Sequence, residues 1–378
     1  MIINNVHIVT ASDVIFGSIH IDNGMIRDIS DTPSRLPAAL DGEGNWLLPG
    51  LIELHTDNLD KCFTPRPGVS WPAASAMKSH DAGIISSGIT TVLDAIAIGD
   101  VRAGGHRMEN LQTMIDAIQF SRKNTLNRAD HYIHLRCELP HNTTLPLFEK
   151  LKSLPELHLV SLMDHSPGQR QFISREKYRT YYQGKYHLTN SQMDEFTQQQ
   201  LDFAAQWSQP NRESIAAQCR ELGLPLSSHD DATEAHIDES YALGVNIAEF
   251  PTTLEAARLA YQKHLQVMMG APNVVRGKSH SGNVSALQLA HEDVLTILSS
   301  DYFPVSLLDA VFKIAGDETL PHTLPQSVAM ATRHPAQALG FDDRGTLAIG
   351  LRADLLLVKT HQQQPYIQSV WRQGERVY

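Results

Sequence analysis

The chain has 378 residues, 42% hydrophobic and 19% charged, a balance that suits one large α/β barrel with a small satellite domain and excludes a disordered or fibrous protein. The formal net charge of −11 argues against a nucleic-acid partner, which would select a basic face. The three cysteines, Cys62, Cys137 and Cys219, form no CxxC pair, so neither a disulfide framework nor a zinc knuckle is expected and a reducing compartment is.

The N-terminus, Met1-Ile-Ile-Asn-Asn-Val-His7, lacks the basic-then-apolar pattern of a secretory signal. No later apolar run reaches the roughly 18 residues of a membrane helix, so the expected location is the cytoplasm, with no membrane partner. Alternating runs at Ile2–Ile8, Val14–Ile21 and Met25–Ile29, with Asp22-Asn-Gly24 as a turn, predict short antiparallel strands. Eight apolar runs follow: Trp46–Leu54, Gly88–Asp94, Tyr132–Cys137, His158–Met163, Leu224–Ser228, Val245–Phe250, Val267–Gly270 and Val294–Ser299. They alternate with helix-like segments, the pattern of a parallel α/β fold. The chain ends in further strand-like runs, Ala353–Lys359 and Ser369–Tyr378. The fold expected is a (β/α)8 barrel over 51–344, with a β-sandwich domain formed by 1–50 and 345–378. An insertion lies at about 166–222, where Met193, Phe196, Phe203 and Trp207 recur at helical spacing as a packing stripe.

In such a barrel the chemistry stands at the C-terminal ends of the strands. The first run ends in His55 and Asp57, which at i and i+2 of an extended chain point to one side. Glu138 ends the third run, Asp164-His165 the fourth, His229-Asp-Asp231 the fifth and Asp301 the eighth. Any one of these alone reads as a turn or capping residue. Five of eight run ends carrying His, Asp or Glu point to a metal site. Imidazole and carboxylate without thiolate favour catalytic zinc, manganese or iron over structural zinc. Six candidate ligands exceed one tetrahedral ion, so one or two divalent ions are expected, with Glu138 as the bridge if there are two.

These features resemble the amidohydrolase superfamily. The run Leu48-Pro-Gly-Leu-Ile-Glu-Leu-His55 is similar to its first-strand signature, and Gly345–Val358 to the segment that returns to its β-sandwich. The resemblance implies His55, His165, His229 and Asp301 as metal ligands, Asp301 also as proton acceptor, and Glu138 as bridging carboxylate. The first motif departs from the usual His-x-His, since its second position is Asp57. The bridging and histidine positions also fall one run early. The family admits homo-oligomers.

A narrower resemblance is to the diphosphatases of the carbon–phosphorus lyase pathway. It rests on Thr56-Asp-Asn-Leu-Asp-Lys61, Phe63-Thr-Pro-Arg-Pro67, Met163–Gln171, Ser228–Ala232, Gly270-Ala-Pro-Asn273, Ser279-His-Ser-Gly-Asn283 and Ser299–Tyr302. It implies a small phosphorylated sugar as substrate, a ribose bearing a phosphonate and a triphosphate, cleaved to the 5-phosphate and pyrophosphate. Lys61, Arg66, Arg170, Asn273, Arg276, Lys278 and His280 are then the substrate-binding candidates, with His80 and His141 as further donors; Lys185 and Arg175 read as surface charge. Tyr178, Tyr181, Tyr182 and Tyr186 read equally as packing or as a cover over substrate. Gly277-Lys-Ser279 is no P-loop, because Pro272 stands where that motif needs glycine. The rival readings are an amidase or deaminase on the same scaffold, and an inactive interaction protein, which would have shed its ligands.

Overall fold

The computed structural model describes residues 1–66, 68–99, 106–172, 174–277 and 282–378. The chain opens with β1 Ile2–Val9, β2 Val14–Asp22, β3 Met25–Ser30, β4 Leu40–Asp41 and β5 Trp46–Pro49. Asn23 and Gly24 both have positive φ (48° and 76°), the conformation of the tight turn that lets β2 and β3 pair with Asp22 opposite Met25.

Eight strands come next: β6 Leu51–Thr56, β7 Ile89–Ile98, β8 Asp130–Glu138, β9 Leu157–Met163, β10 Leu226–His229, β11 Ile247–Glu249, β12 Gln266–Gly270 and β13 Ile297–Ser299. They form one sheet in chain order, parallel in the pairs β6–β7, β8–β9, β9–β10, β10–β11 and β12–β13. The first strand meets the last through a parallel bridge between Thr56 and Asp301. The chain closes with β14 Leu355–His361, β15 Gln364–Arg372 and β16 Glu375–Arg376. These join the opening strands in a mixed sheet ordered β16-β15-β14-β5-β1-β2-β3, with β4 on β1. Ile3, Ile8, Ile19, Ile26, Leu47, Leu355 and Trp371 fill its buried side.

One run expected from the sequence is two strands. Trp46–Leu54 breaks at Gly50: β5 pairs β14 in the mixed sheet, while β6 enters the parallel one. A Cβ at Gly50 would collide with Thr90, so only glycine lets the chain cross between sheets there.

The chain divides into two compact units. The first comprises Met1–Asp94, Asp116–Tyr132 and Met268–Tyr378. Within it Asp130 gathers Arg344, Arg352 and Arg372 at 3.1, 2.8 and 3.2 Å. Burial would raise the pKa of Asp130, but the three guanidiniums outweigh it and hold the carboxyl low.

The second unit comprises Ala95–Ile115 and Ile133–Val267. It carries the long connection after β9: a 3₁₀ turn Arg170–Phe172, helices Arg175–Tyr186 and Asn190–Phe203, a π-helical turn Ala204–Ser208 and a helix Gln209–Leu222. A capping box of Thr189 and Gln192 starts the second helix. Pro210 has no N–H for the carbonyl four residues back, which accounts for the wide turn just before it. Phe172, Tyr178, Tyr182 and Met193 bury one another, with Tyr186 and Phe196 against them. The tyrosines of the insertion are thus largely a core of their own, though Tyr181 is half exposed. Among the described residues no helix is long and apolar enough to cross a membrane.

Candidate active site

In the first unit β6 is buried at every residue and delivers His55 to its C-terminal end. Asp57 follows as the N-cap of the helix Asn58–Phe63. The Nε2 of His55 lies 3.8 Å from Oδ1 of Asp57. Asp301, two residues past β13 with a φ of +55°, completes the group: ligand atoms of His55, Asp57 and Asp301 all lie within 4.8 Å of one another. Asn58 donates to Thr56 Oγ1 at 2.7 Å and to the Asp301 carbonyl at 3.5 Å.

Glu53, which no local sequence pattern singles out, fastens this group. Its Oε1 accepts the His55 N–H at 2.6 Å and the Ser299 hydroxyl at 2.7 Å, and its Oε2 accepts the Ser300 N–H. The Ser299 hydroxyl also lies 2.9 Å from the His55 carbonyl oxygen. One buried carboxylate therefore ties β6 to β13 beside His55 and Asp301. Burial raises its pKa against these hydrogen bonds.

The second unit holds another group. His165, His229 and Asp230 offer ligand atoms within 4.8 Å of one another. Glu138 accepts from the His165 backbone N–H at 3.0 Å and faces His165 Nδ1 at 2.6 Å. Burial pulls the His165 pKa down, but the Glu138 carboxylate outweighs it and holds the imidazole above its ordinary value. Asp230 lies 2.7 Å from His229 Nδ1 and 3.8 Å from His165 Nε2. Its place directly after a candidate histidine was the one available signal. The ligand candidates Glu138, His165 and His229 do sit on the third, fourth and fifth barrel strands or just beyond them, so the early position counted from the sequence is real.

The cation candidates divide. Lys61 is exposed on the helix Asn58–Phe63, its Nζ 3.4 Å from Asn58 Oδ1 and 5.7 Å from the centre of the Tyr302 ring. Arg66 and Arg276 are exposed, the latter in the last turn of the helix Ala271–Arg276. Asn273 is half-buried and accepts the Ala286 N–H at 3.1 Å, capping the next helix. Lys278 and His280 lie outside the described residues. Arg170 corrects its expected role: it is buried against Asp231 and Glu239 rather than presented in a loop.

His80 is corrected likewise. It is buried, with Nε2 2.6 Å from Asp94 Oδ1, while His131 Nδ1 reaches the other Asp94 oxygen at 2.8 Å and His131 Nε2 faces Asp81 at 3.3 Å. The first two separations are hydrogen bonds, too short for two ligands of one ion. This third His/Asp group is therefore a closed charge network. His141 turns its Nδ1 to Thr143 Oγ1 at 2.7 Å.

Several known proteins share this architecture. An N-acetylglucosamine-6-phosphate deacetylase from Thermotoga maritima superposes with a TM-score of 0.62 at 14% identity, covering 100% of this chain and 99% of that one. A 5-methylcytosine deaminase from Klebsiella pneumoniae gives 0.59 at 13%, covering 100% and 97%. They bear out the expected barrel with its β-domain from both chain ends, and nothing further. In sequence, the chain is 62% identical over the full length of both proteins to the α-D-ribose 1-methylphosphonate 5-triphosphate diphosphatase of Escherichia coli (strain K12). The amidohydrolase family profile matches residues 46–378. A strand-end set of imidazoles and carboxylates, on this barrel and under that profile, makes the chain a member of the amidohydrolase family.

Proposed function

We propose that this chain is a cytoplasmic, metal-dependent diphosphatase that hydrolyses α-D-ribose 1-methylphosphonate 5-triphosphate to the 5-phosphate and pyrophosphate, as a step of phosphonate catabolism. The observation that carries the reading is the 62% identity across both full chains to an enzyme of that name. The deaminase and deacetylase likenesses concern fold alone and do not compete with it.

The two ligand groups suit divalent metal. His55, Asp57 and Asp301 would hold one ion, and His165, His229 and Asp230 a second, with Glu138, hydrogen-bonded to His165 at 2.6 Å, behind that histidine and not on the same ion. In each group the mixed imidazole and carboxylate donors fit zinc, manganese or iron. Bound there, such ions supply Lewis-acid polarisation of a phosphoryl oxygen and acidify water.

The chain's own residues do the rest. Asp301 takes the proton of the attacking water. That water's oxygen bonds to the α-phosphorus, the bond from that phosphorus to the α–β bridging oxygen breaks, and pyrophosphate departs with the bridging oxygen. Lys61, Arg66 and Arg276, all exposed, draw the polyphosphate in; Lys278 and His280 serve the same end on sequence grounds. Glu138 orients His165 through two hydrogen bonds. Phosphorus NMR of the products, with metal-loaded and with chelated enzyme, tests the reading. Pyrophosphate and the 5-phosphate should appear together in equal amounts, only with metal. Stepwise release of orthophosphate, or equal turnover after chelation, would overturn it.

A further inference from the structure

Beside His165 and His229 lies a buried ion network that the proposed chemistry does not use. Glu239, on the helix Glu234–Ala242, binds two guanidiniums, Arg170 Nη2 at 2.9 Å and Arg212 Nη1 at 3.1 Å. Each arginine then holds a buried aspartate: Arg212 Nη2 reaches Asp164 at 3.3 Å, and Arg170 pairs with Asp231. Asp164 directly precedes His165, and Asp231 stands two residues after His229. The fork joins five elements: the end of β9, the turn Arg170–Phe172, the helix Gln209–Leu222, the end of β10 and the helix Glu234–Ala242.

Both aspartates are anchored further. Asp164 accepts from the N–H and hydroxyl of Ser166. Asp231 accepts the Ser240 hydroxyl at 3.2 Å, and its carbonyl accepts the Thr252 N–H at 2.9 Å. Between His229 and Asp231, Asp230 has a φ of +58°. A non-glycine residue holds that conformation only where its surroundings over-determine it. The same backbone turn aims Asp230 Oδ2 at His229 Nδ1. His236, next to the fork, registers its positive charge: burial, then Arg170 and Arg212, bring its pKa down to about 4.

We propose that Glu239, Arg170 and Arg212 are positioning residues that set the His165–His229 pair at metal-binding geometry through Asp164 and Asp231. The proposal rests on the reading of His165 and His229 as ligands. Breaking the fork at its partly exposed hub, by Glu239→Gln, leaves both guanidiniums in place but releases their common tie.

The test is cobalt(II) titration of metal-free protein, followed by its visible absorption, with kcat and KM measured on the same samples. Glu239→Gln should weaken one of two cobalt affinities and lower kcat, each by about 10- to 100-fold, with KM within about twofold of wild type. Arg212→Lys should act in the same direction, because one ammonium cannot span Asp164 and Glu239; it also serves if Glu239→Gln does not fold. Glu234→Gln, exposed on the same helix, should match wild type. If both fork variants bind cobalt and turn over as wild type does, however far their melting temperature falls, the fork only stabilises the fold and the proposal is wrong. A wild-type protein that takes up no cobalt and hydrolyses nothing would instead overturn the ligand reading beneath it.

Discussion

Raising the pH from about 6 to about 10 should cost the folded state about 3 kcal/mol through the cluster around His131. The ring is fully buried, 2.8 Å from Asp94 and 3.3 Å from Asp81. Burial alone would lower its pKa, but the two carboxylates outweigh burial and lift it to about 9. An unfolded imidazole releases its proton near 6.5. Between those values the folded chain keeps a proton that the unfolded chain has lost, so stability falls as pH rises. The contribution is whole below about 6.5 and gone above about 9. At about 1.4 kcal/mol per pH unit, that interval amounts to about 3 kcal/mol.

The other charged groups around the ring do not cancel the effect. His80 is also raised, as Asp94 outweighs its burial, and adds in the same direction. Asp94 and Asp81 are held low by the imidazoles against burial, so their contribution is lost only as pH falls into the acid range. Arg128 lies 3.7 Å from Asp81, and Cys62 hydrogen-bonds with His80. Urea midpoints followed by tryptophan fluorescence, at several pH values between 6 and 10, read the loss directly. The wild-type midpoint should fall steadily through the interval, while His131→Gln starts lower and falls less, through His80 alone. A level wild-type midpoint would show that the buried ring is neutral and that the carboxylates do not govern it.

Three further outcomes are expected. Asp301→Asn should cut kcat by about 100-fold or more while bound metal, measured by plasma emission, is largely retained; turnover near normal removes the proton-accepting role. Lys61→Ala should raise KM by about tenfold, about 1.4 kcal/mol, with kcat little changed, and a change confined to kcat would place Lys61 in the chemistry instead. Tyr182→Ala should destabilise the fold by about 3 kcal/mol or more by opening a cavity in the aromatic cluster of the insertion, whereas a thermal midpoint like that of wild type would mean that this cluster carries no stability.

What the sequence could show was what lies close along the chain. Asn23-Gly24 announces its hairpin because the turn needs two positive φ values at adjacent residues. His55 and Asp57 announce themselves as ligand types spaced i and i+2 at the end of an apolar run, although Asp57 already stands past the strand as the N-cap of the next helix. Glu53 sits in the same alternation but was read as part of an apolar run, since its partner Ser299 is 246 residues away. Arg170 was read as a free cation for the same reason: Glu239 lies 69 residues on, and no local pattern separates a phosphate-binding arginine from a buried one. His80 reads as a candidate donor because nothing local marks its burial beside Asp94. The run at Trp46–Leu54 hid a change of sheet, because both sheets ask for the same apolar residues and only Gly50 marks the crossing.

The π-helical turn Ala204–Ser208 sets a phase relation between the helices on either side of it. An α-helix turns about 100° per residue, and a π turn takes up about one residue more than an α turn. Upstream, Met193 faces the tyrosine cluster; downstream, Asn211 donates to the carbonyls of Leu139 and His141, just past Glu138. Deleting one residue within the turn would let 190–222 run as an unbroken α-helix with its two faces still in phase, whereas closing the turn to α geometry at its full count would rotate one half by about 100° and cost it its partners. The wide turn is thus a gear setting that takes up one residue of slack: closing it without removing that residue would turn one face away from its partners.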